Sequence, residues 1–189
     1  REGVNALLTQ PGITFIKGEA HFISDHIIEV NGKQIEAKNI IIASGSRSKT
    51  PPFLKEEDIT KQKVGEQKIV TSTEILSINK IPRRLSIIGA GVIGMEFASA
   101  FSAFGSEVTV IEFMKECLPP IDSDIAKRLR KSLEKRGVTF YMQSAVSRID
   151  LCEENKETVK LIFKRKDKEE TIETDLVLIA TGRQANVEN

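Results

Sequence analysis

The chain has 189 residues and a formal net charge of +1, and 40% of its residues are hydrophobic. This apolar content is ample for a folded core and argues against bulk disorder. The near-neutral charge gives no electrostatic support for binding nucleic acid or an anionic membrane. Because no stretch approaches ~20 apolar residues, no membrane-spanning helix is predicted.

The first third of the chain predicts short strands. Asn31-Gly32 is a strong hairpin signal. An irregular, proline-containing connector follows the strands, and residues 71–74 favour the cap of a short helix. Three segments are apolar or alternating, as strands are: residues 13–16, 27–30 and 40–43.

Residues 85–112 are the most informative segment, with an apolar strand, a Gly-Ala-Gly-x-x-Gly turn, a helix, a second strand and an acid. Gly89 permits a tight turn, Gly91 has no Cβ to keep a pyrophosphate away, and Gly94 lets the helix approach the sheet. The helix N-terminus offers unpaired N–H groups and partial positive charge to phosphates. The segment therefore predicts a dinucleotide site, although a glycine turn that binds nothing is the alternative interpretation.

Glu112 ends the second strand, roughly 20 residues after the turn, where a carboxylate can accept hydrogen bonds from the adenosine ribose hydroxyls. A 2′-phosphate would meet like charge there. Phe113 and Met114 offer no guanidinium to receive it, and the charge of Lys115 is offset by Glu116. The sequence therefore predicts NAD(H) rather than NADP(H).

A second helix is predicted from residues 122–124, which carry a cap signal, to about Arg136, with Gly137 as its stop. A strand at residues 138–141 follows. The apolar stripe of the helix is predicted to comprise Ile125, Leu129 and Leu133.

The end of the chain predicts a meander and a final buried strand. Residues 144–173 alternate, with charged turns near residues 153–156 and 166–169. Residues 176–183 are an apolar strand ending in Ala-Thr-Gly-Arg, and residues 40–46 end similarly in Ala-Ser-Gly-Ser. Each is expected to bring a bare backbone turn to the edge of a sheet where cofactors bind.

The remaining candidate residues point to no catalytic or metal chemistry. Cys117 and Cys152 are too far apart in sequence for a redox pair, and two cysteines are too few for a disulfide scaffold or a zinc site. They are typical of a reducing cytosol, so a cytoplasmic location is expected. His21 and His26 have no nearby nucleophile in sequence and are interpreted as structural.

Five motifs together give the chain its resemblance to a known family: KGEAHF, IIIASGS, GAGVIGMEFA with the downstream IEF, LPPID, and LIATGR. The chain resembles the middle of a flavin-dependent pyridine nucleotide–disulfide oxidoreductase, and within that family it is most similar to the dihydrolipoamide dehydrogenases. The resemblance covers essentially the whole chain. Since the chain starts with Arg1 rather than Met and stops soon after a strand and turn, we expect it to be a fragment of a longer protein.

The resemblance implies an α/β fold, in which a Rossmann-like NAD-binding domain with a parallel sheet, helices and a β-meander is flanked by pieces of an FAD-binding domain. It also implies four divisions of the chain: residues 1–48 as the end of the first FAD-binding segment, 49–81 as a connector, 82–181 as the NAD-binding domain, and 182–189 as the start of the return to the FAD domain.

The resemblance further implies cofactor contacts. Ala20 is expected near the FAD adenine and Ser44, Gly45 and Ser46 near the flavin nucleotide, with Ser44 replacing the family's usual Thr. The implied NAD contacts are Gly89, Ala90, Gly91, Val92, Ile93, Gly94, Glu96 and Glu112, with Val146 at the adenine and Gly182 along the cofactor. Glu96 is expected at the nicotinamide, although its carboxylate would also favour the positive end of the helix dipole.

For the whole protein, the resemblance implies hydride transfer between NAD and FAD coupled to dithiol–disulfide exchange. It also implies a homodimer, and membership of a 2-oxo acid dehydrogenase complex is a further possibility. The redox-active cysteine pair is expected before Arg1 and the acid–base histidine beyond Asn189, so the chain alone is expected to be inactive. The alternatives are a related flavoprotein, such as an NADH oxidase or a mercuric reductase-like enzyme, and a non-catalytic NAD-sensing module.

Overall fold

The computed structural model describes residues 2–60, 67–151 and 158–187. Its contacts divide the chain into two compact units. The first unit contains the chain up to Gly45 and the residues from Asn186 onward, and the second contains Ser46–Ala185. None of the helices in the described ranges is long and apolar enough to cross a membrane.

The first unit contains one helix and a small antiparallel sheet. The helix is α1 (Glu2–Leu8), and the strands, in sheet order, are β1 (Ala20–Phe22), β2 (Ile27–Val30) and β3 (Lys33–Glu36). Asn31 and Gly32 both have positive φ, 53° and 74°, and join β2 to β3. The predicted hairpin is therefore confirmed, because this pair tolerates the left-handed backbone that a tight hairpin turn needs.

Two of the strands predicted in this unit are wrong. Residues 13–16 and 40–43 are irregular, whereas residues 27–30 form β2 as predicted. Ile41 and Ile42 are 91% and 69% exposed. Apolar β-branched residues form a strand only where a neighbouring strand accepts their hydrogen bonds, and within the described residues these segments pair with none.

The second unit is built on a parallel sheet of five strands, which confirms the predicted α/β class. Its central strand, β6, carries the residues before the glycine turn, and its β-branched composition suits a strand covered on both faces. In sheet order the strands are β5 (Ile69–Thr71), β12 (Leu176–Ile179), β6 (Arg84–Ile88), β7 (Glu107–Ile111) and β8 (Thr139–Tyr141).

Two helices and a 3₁₀-helix cover one face of this sheet. They are the 3₁₀-helix Glu74–Ser77, α3 (Val92–Ala103) and α4 (Ser123–Lys135). The short helix α2 (Glu56–Thr60) contributes Ile59 to the apolar cluster on the other face. Met95, Ala98 and Phe101 of α3 pack in one apolar cluster with Leu85 and Ile87 of β6. Because Gly105 has a φ of 91°, it ends the α3 segment in the left-handed conformation that glycine favours.

The predicted apolar stripe of α4 is only partly correct. Leu133 is buried, but Ile125 and Leu129 are exposed, and the small side chain of Ala126 is buried instead. The helix thus contacts the core along the row Ala126–Leu133, two turns apart, because the small alanine lets it approach closely. Sequence periodicity alone did not distinguish this narrow row from the neighbouring one.

A three-stranded antiparallel sheet covers the other face. Val159, Leu161 and Phe163 of its central strand are fully buried and pack with Ile111 and Ile179 of the parallel sheet. Lys166 and Asp167 have positive φ and form the predicted turn, while the turn predicted near residues 153–156 lies outside the described residues. In sheet order the strands are β11 (Lys168–Thr174), β10 (Val159–Arg165) and β9 (Ser144–Leu151).

A short antiparallel ribbon joins the two ends of the second unit. It consists of β4 (Ser46–Ser48) and β13 (Arg183–Ala185), and the Arg183 guanidinium donates hydrogen bonds to Ser46. The two compact units are defined by contacts within the chain, which do not show which cofactor each segment binds. The predicted division into FAD and NAD segments therefore stays a prediction.

Candidate dinucleotide-binding site

The candidate site lies at the carboxyl edge of the five-stranded sheet. The glycine turn follows β6, Glu112 follows β7, and Thr181-Gly182 follows β12. Because β6, β7 and β12 are adjacent and parallel, these three segments come together at one edge.

Gly89 is required by the fold itself. Its φ is 104°, and a Cβ there would lie 2.5 Å from the carbonyl oxygen of Ala180. The turn is held in place because the Gly89 amide donates to the Ile111 carbonyl at 2.9 Å and the Ala180 amide donates to the Ile88 carbonyl at 2.8 Å. Any side chain at position 89 would therefore clash with the backbone that follows β12.

Gly94 is also required by packing. It lies in the first turn of α3, and a Cβ there would overlap the carbonyl oxygen of Gly89. The absence of a side chain allows the helix to start directly against the strand end. Position 94 therefore determines how close the helix N-terminus lies to the edge of the sheet.

Gly91 differs from both. Its φ and ψ are −73° and −176°, a conformation open to any residue, and among the described residues other than its chain neighbours no atom lies within 4 Å of the position that a Cβ would occupy. Neither backbone strain nor packing within the described residues accounts for glycine here. What remains is open space above the backbone, into which an outside group can approach.

The N-terminus of α3 faces this space without a side-chain cap. Gly91 is the N-cap residue, and the Met95 amide makes the first bond of the helix, to the Gly91 carbonyl at 2.9 Å. The first four N–H groups of a helix have no partner within it. Those of Val92 and Ile93 therefore lie where an anion can accept their hydrogen bonds.

Glu112 lies against the glycine turn. Its side chain is 8% exposed, Oε2 accepts a 2.6 Å hydrogen bond from the Ala90 amide, and Oε1 accepts one of 2.7 Å from the Met114 amide. Hydrogen bonds from amides to a carboxylate are charge-assisted and strong. The acid is thereby held at one orientation beside the turn, with each oxygen retaining a lone pair.

The segment after Glu112, residues 113–118, supports the site through backbone contacts that were not predicted from sequence. The Leu118 amide donates to the Ala90 carbonyl at 2.9 Å, and the Gln143 amide donates to the Met114 carbonyl at 3.0 Å. Both bonds join backbone atoms, so side-chain identity carried little signal for them. We call residues 113–118 the ribose-side loop, since it begins beside the candidate ribose contact.

An ion pair between Glu116 of this loop and Arg130 of α4 was also missed. Arg130 Nε lies 2.7 Å from Glu116 Oε1, and Arg130 Nη2 lies 3.0 Å from Glu116 Oε2. The Arg130 guanidinium lowers the pKa of Glu116 to about 2. The only sequence signal was opposite charge at a distance of fourteen residues, which many surface residues share.

Cys117 is buried, and its thiol donates to the Ala126 carbonyl at 3.3 Å. Burial and the neighbouring Glu116 carboxylate raise its pKa to about 11. A thiol with such a pKa is a poor nucleophile near neutral pH. Cys152 lies outside the described residues.

The other predicted NAD contacts have different surroundings. Glu96 is exposed on α3, and Gly182 is exposed with a φ of 112° and open space at its Cβ position. Val146 is half-buried on β9 and packs with the apolar cluster beneath the antiparallel sheet. No contact with another described residue accounts for or opposes the predicted roles of these three residues, so each role stays a prediction.

The predicted FAD contacts lie in exposed segments. Ala20 is on β1, and the hydroxyl of Ser44 donates to the Asn186 carbonyl. Gly45 has a φ of 79°, and Ser46 accepts hydrogen bonds from Arg183.

His26 contacts the Ala37 carbonyl through Nδ1, which agrees with a structural role.

The whole chain, residues 1–189, matches the pyridine nucleotide-disulphide oxidoreductase family. It is 36% identical over 184 residues to a dihydrolipoyl dehydrogenase of Acholeplasma laidlawii, covering 97% of this chain and 52% of that protein. It is also 36% identical over 180 residues to a mercuric reductase of Bacillus cereus, covering 94% of this chain and 26% of that protein.

Among solved structures, the chain is similar to the Cu(II) complex of the HOCl-induced flavoprotein disulfide reductase RclA of Escherichia coli. The TM-score is 0.75 at 32% sequence identity, and the match covers 98% of this chain and 40% of that one. The chain thus spans about half, or less, of the length of these relatives. With the whole sequence matched and the glycine turn, its acid and the parallel sheet in place, the chain belongs to the pyridine nucleotide-disulphide oxidoreductase family.

Proposed function

We propose that this chain is the NAD(H)-binding central portion of an FAD-dependent disulfide oxidoreductase. The observation that carries the proposal is the open space at Gly91. Gly89 and Gly94 are explained by the fold, whereas neither backbone strain nor packing among the described residues accounts for glycine at position 91, where the open space lets a group approach the backbone closely. A pyrophosphate beside the uncapped helix N-terminus is such a group.

Glu112 supports NAD(H) over NADP(H). Two backbone amides hold its carboxylate beside the glycine turn, so it cannot swing away to admit a second anion without losing both hydrogen bonds. Ribose hydroxyls can donate to its remaining lone pairs, whereas a 2′-phosphate offers only acceptors and like charge.

In this proposal the nicotinamide and flavin rings supply the hydride chemistry when both are bound, and the residues of this chain bind and orient. The N-terminus of α3 holds the pyrophosphate and Glu112 holds the ribose. Val92, Ile93 and Glu96 lie on the first turns of α3, where they contact the nicotinamide half, and Gly182 and Val146 line the cofactor. Ala20, Ser44, Gly45 and Ser46 belong to the FAD contacts.

For the intact protein we propose dihydrolipoyl dehydrogenase activity, a homodimer in the cytoplasm, and assembly into a 2-oxo acid dehydrogenase complex. This chain has two cysteines, Cys117 and Cys152, which are not closely spaced, and is proposed to be inactive alone. A mercuric reductase-like activity is the second candidate, because the Bacillus cereus relative is as similar in sequence, at 36% identity, as the Acholeplasma laidlawii one.

Two measurements on the intact protein test the proposal. Fluorescence titration with NADH and NADPH should show tighter binding of NADH, and equal or tighter binding of NADPH would refute the cofactor assignment. Assays with dihydrolipoamide plus NAD⁺, and separately with Hg(II) plus reduced nicotinamide cofactor, then distinguish the two candidate activities.

A further inference from the structure

The ion pair between Glu116 and Arg130 has the geometry of a strong contact. Two nitrogens of the Arg130 guanidinium meet the two carboxylate oxygens of Glu116, at 2.7 and 3.0 Å. The Arg130 and Glu116 side chains are only 17% and 20% exposed. Arg130 also contacts Glu134, one turn along α4, at 2.6 Å. Such a two-point pair defines orientation as well as distance.

This pair attaches the ribose-side loop to α4. Glu116 Oε1 also accepts a hydrogen bond from the Cys117 amide at 3.1 Å, so the carboxylate orients the loop backbone as well as the arginine. The neighbouring Cys117 thiol donates to the Ala126 carbonyl, which is a second, weaker attachment to the same helix. Loop and helix are therefore held together at two adjacent residues.

The same loop carries contacts to the candidate cofactor site on both sides of Glu116. Toward the N-terminus, the Met114 amide donates to Oε1 of Glu112. Toward the C-terminus, the Leu118 amide donates to the carbonyl of Ala90, whose own amide binds Oε2 of Glu112. A displacement of Glu116 would therefore disturb the hydrogen bonds at both carboxylate oxygens of Glu112.

We propose that Arg130 is a positioning residue for the ribose end of the dinucleotide site. This inference rests on the proposed function of the site. Arg130 acts through Glu116 on the ribose-side loop, and through that loop on Glu112 and the glycine turn. Because the Glu112 carboxylate is already ordered before the ribose binds, less of the binding free energy is lost in ordering it.

If the ion pair between Glu116 and Arg130 were purely structural, its loss would lower stability without changing NADH binding. The test therefore measures NADH binding and flavin reduction separately. The variant Arg130→Gln removes the charge and the two-point contact. Arg128→Gln is the matched control, because Arg128 is an exposed arginine on the same helix. The conservative variant Arg130→Lys keeps the positive charge but gives up the two-point contact.

In the intact, FAD-loaded protein we expect Arg130→Gln to raise the Kd for NADH about tenfold, which corresponds to about 1.4 kcal/mol. The rate of flavin reduction at saturating NADH should stay within about twofold of wild type, since the reacting rings are at the other end of the cofactor. Arg128→Gln should match wild type in both, and Arg130→Lys should lie between wild type and Arg130→Gln in NADH affinity.

The inference is wrong if Arg130→Gln binds NADH as Arg128→Gln does, or if it slows the saturated rate as much as it weakens binding. Should Arg130→Gln fail to fold, Arg130→Lys decides: NADH binding weaker than that of Arg128→Gln supports the inference, and binding equal to that of Arg128→Gln refutes it. If the wild-type protein itself binds no NADH, the proposed function fails and this inference falls with it.

Discussion

Glu112 and Ala90 are joined by a short hydrogen bond, in which the Ala90 amide donates to Oε2 of Glu112 at 2.6 Å. The acid ends one strand of the parallel sheet and the amide belongs to the turn after the neighbouring strand. Two features that are 22 residues apart in sequence thus form one rigid edge, with an oxygen directed at the turn that the cofactor phosphates are proposed to contact.

Gly91→Ala should weaken NADH binding about tenfold, or about 1.4 kcal/mol, because the new methyl group occupies the space left for the pyrophosphate. Stability should fall by no more than about 1 kcal/mol, because alanine is a poorer N-cap residue than glycine, while φ is ordinary there and no described atom beyond the chain neighbours lies within 4 Å. Gly3→Ala is the matched control: it too has open space at its Cβ position, but it lies in α1, in the first compact unit. Titration and thermal unfolding of both variants check this, and unchanged NADH affinity of Gly91→Ala would overturn the proposed site.

Gly89→Ala should destabilise the protein by more than a positive φ alone accounts for. The added Cβ would lie 2.5 Å from the Ala180 carbonyl oxygen. Gly105 provides the comparison, because its φ of 91° is similar and nothing lies within 4 Å. Gly105→Ala should lower the free energy of unfolding by about 1–2 kcal/mol, because alanine disfavours a left-handed backbone, and Gly89→Ala should lower it clearly more. Equal losses in denaturant unfolding would contradict the packing argument.

Glu112→Gln should reduce the preference for NADH over NADPH. The amide oxygen can accept one of the two backbone N–H groups, but the NH₂ group faces the other, so about 1–3 kcal/mol of stability should also be lost. The ratio of the two dissociation constants is the measurement. Glu107→Gln, an exposed acid at the other end of β7, should leave that ratio unchanged.

The pair of Glu116 and Arg130 should make stability depend on acid pH. The pKa of Glu116 is lowered from 4.5 to about 2 in the folded protein. Its contribution is therefore complete above about pH 4.5 and is lost as the pH falls toward 2, because protonation removes the charge that binds Arg130. Glu116→Gln should be less stable than wild type near neutral pH, and the two should converge as the pH approaches 2. A constant difference in denaturant unfolding across that range would contradict this.

Glu96→Ala should slow flavin reduction at saturating NADH in the intact protein, about tenfold, if Glu96 orients the nicotinamide. Its exposed position on α3 also suits a purely electrostatic role at the helix dipole. That role predicts a small loss of stability with unchanged reduction kinetics. Stopped-flow reduction together with thermal unfolding separates the two roles.

Much of the α/β unit was predictable from sequence because its signals are local. The strands at residues 84–88 and 107–111 and the helix between them were expected within a residue or two. Glycine and apolar β-branched residues constrain the backbone where they occur, so their order alone implies a strand, turn and helix. The hairpin at Asn31-Gly32 was predictable for the same reason.

The wrong predictions concern segments whose structure depends on packing or hydrogen-bonding partners elsewhere in the chain. Residues 13–16 and 40–43 have the composition of strands but pair with no strand in the described part of the chain. On α4, Ala126 rather than Ile125 is buried, because the way the helix packs against neighbouring elements determines which of its residues face the core. Composition could not distinguish these cases, because the hydrogen-bonding and packing partners are distant in sequence.

The Gly-Ala-Gly-x-x-Gly turn and its acid were recognisable in the sequence by itself, because glycine conformation and strand order are local properties. Only the tertiary structure separated the three glycines into two that the fold requires and one, Gly91, that it leaves open. Only the tertiary structure also joined Arg130 to Glu116 and, through the loop, to Glu112. Contacts between residues far apart in the chain depend on how the elements pack, which no single segment specifies.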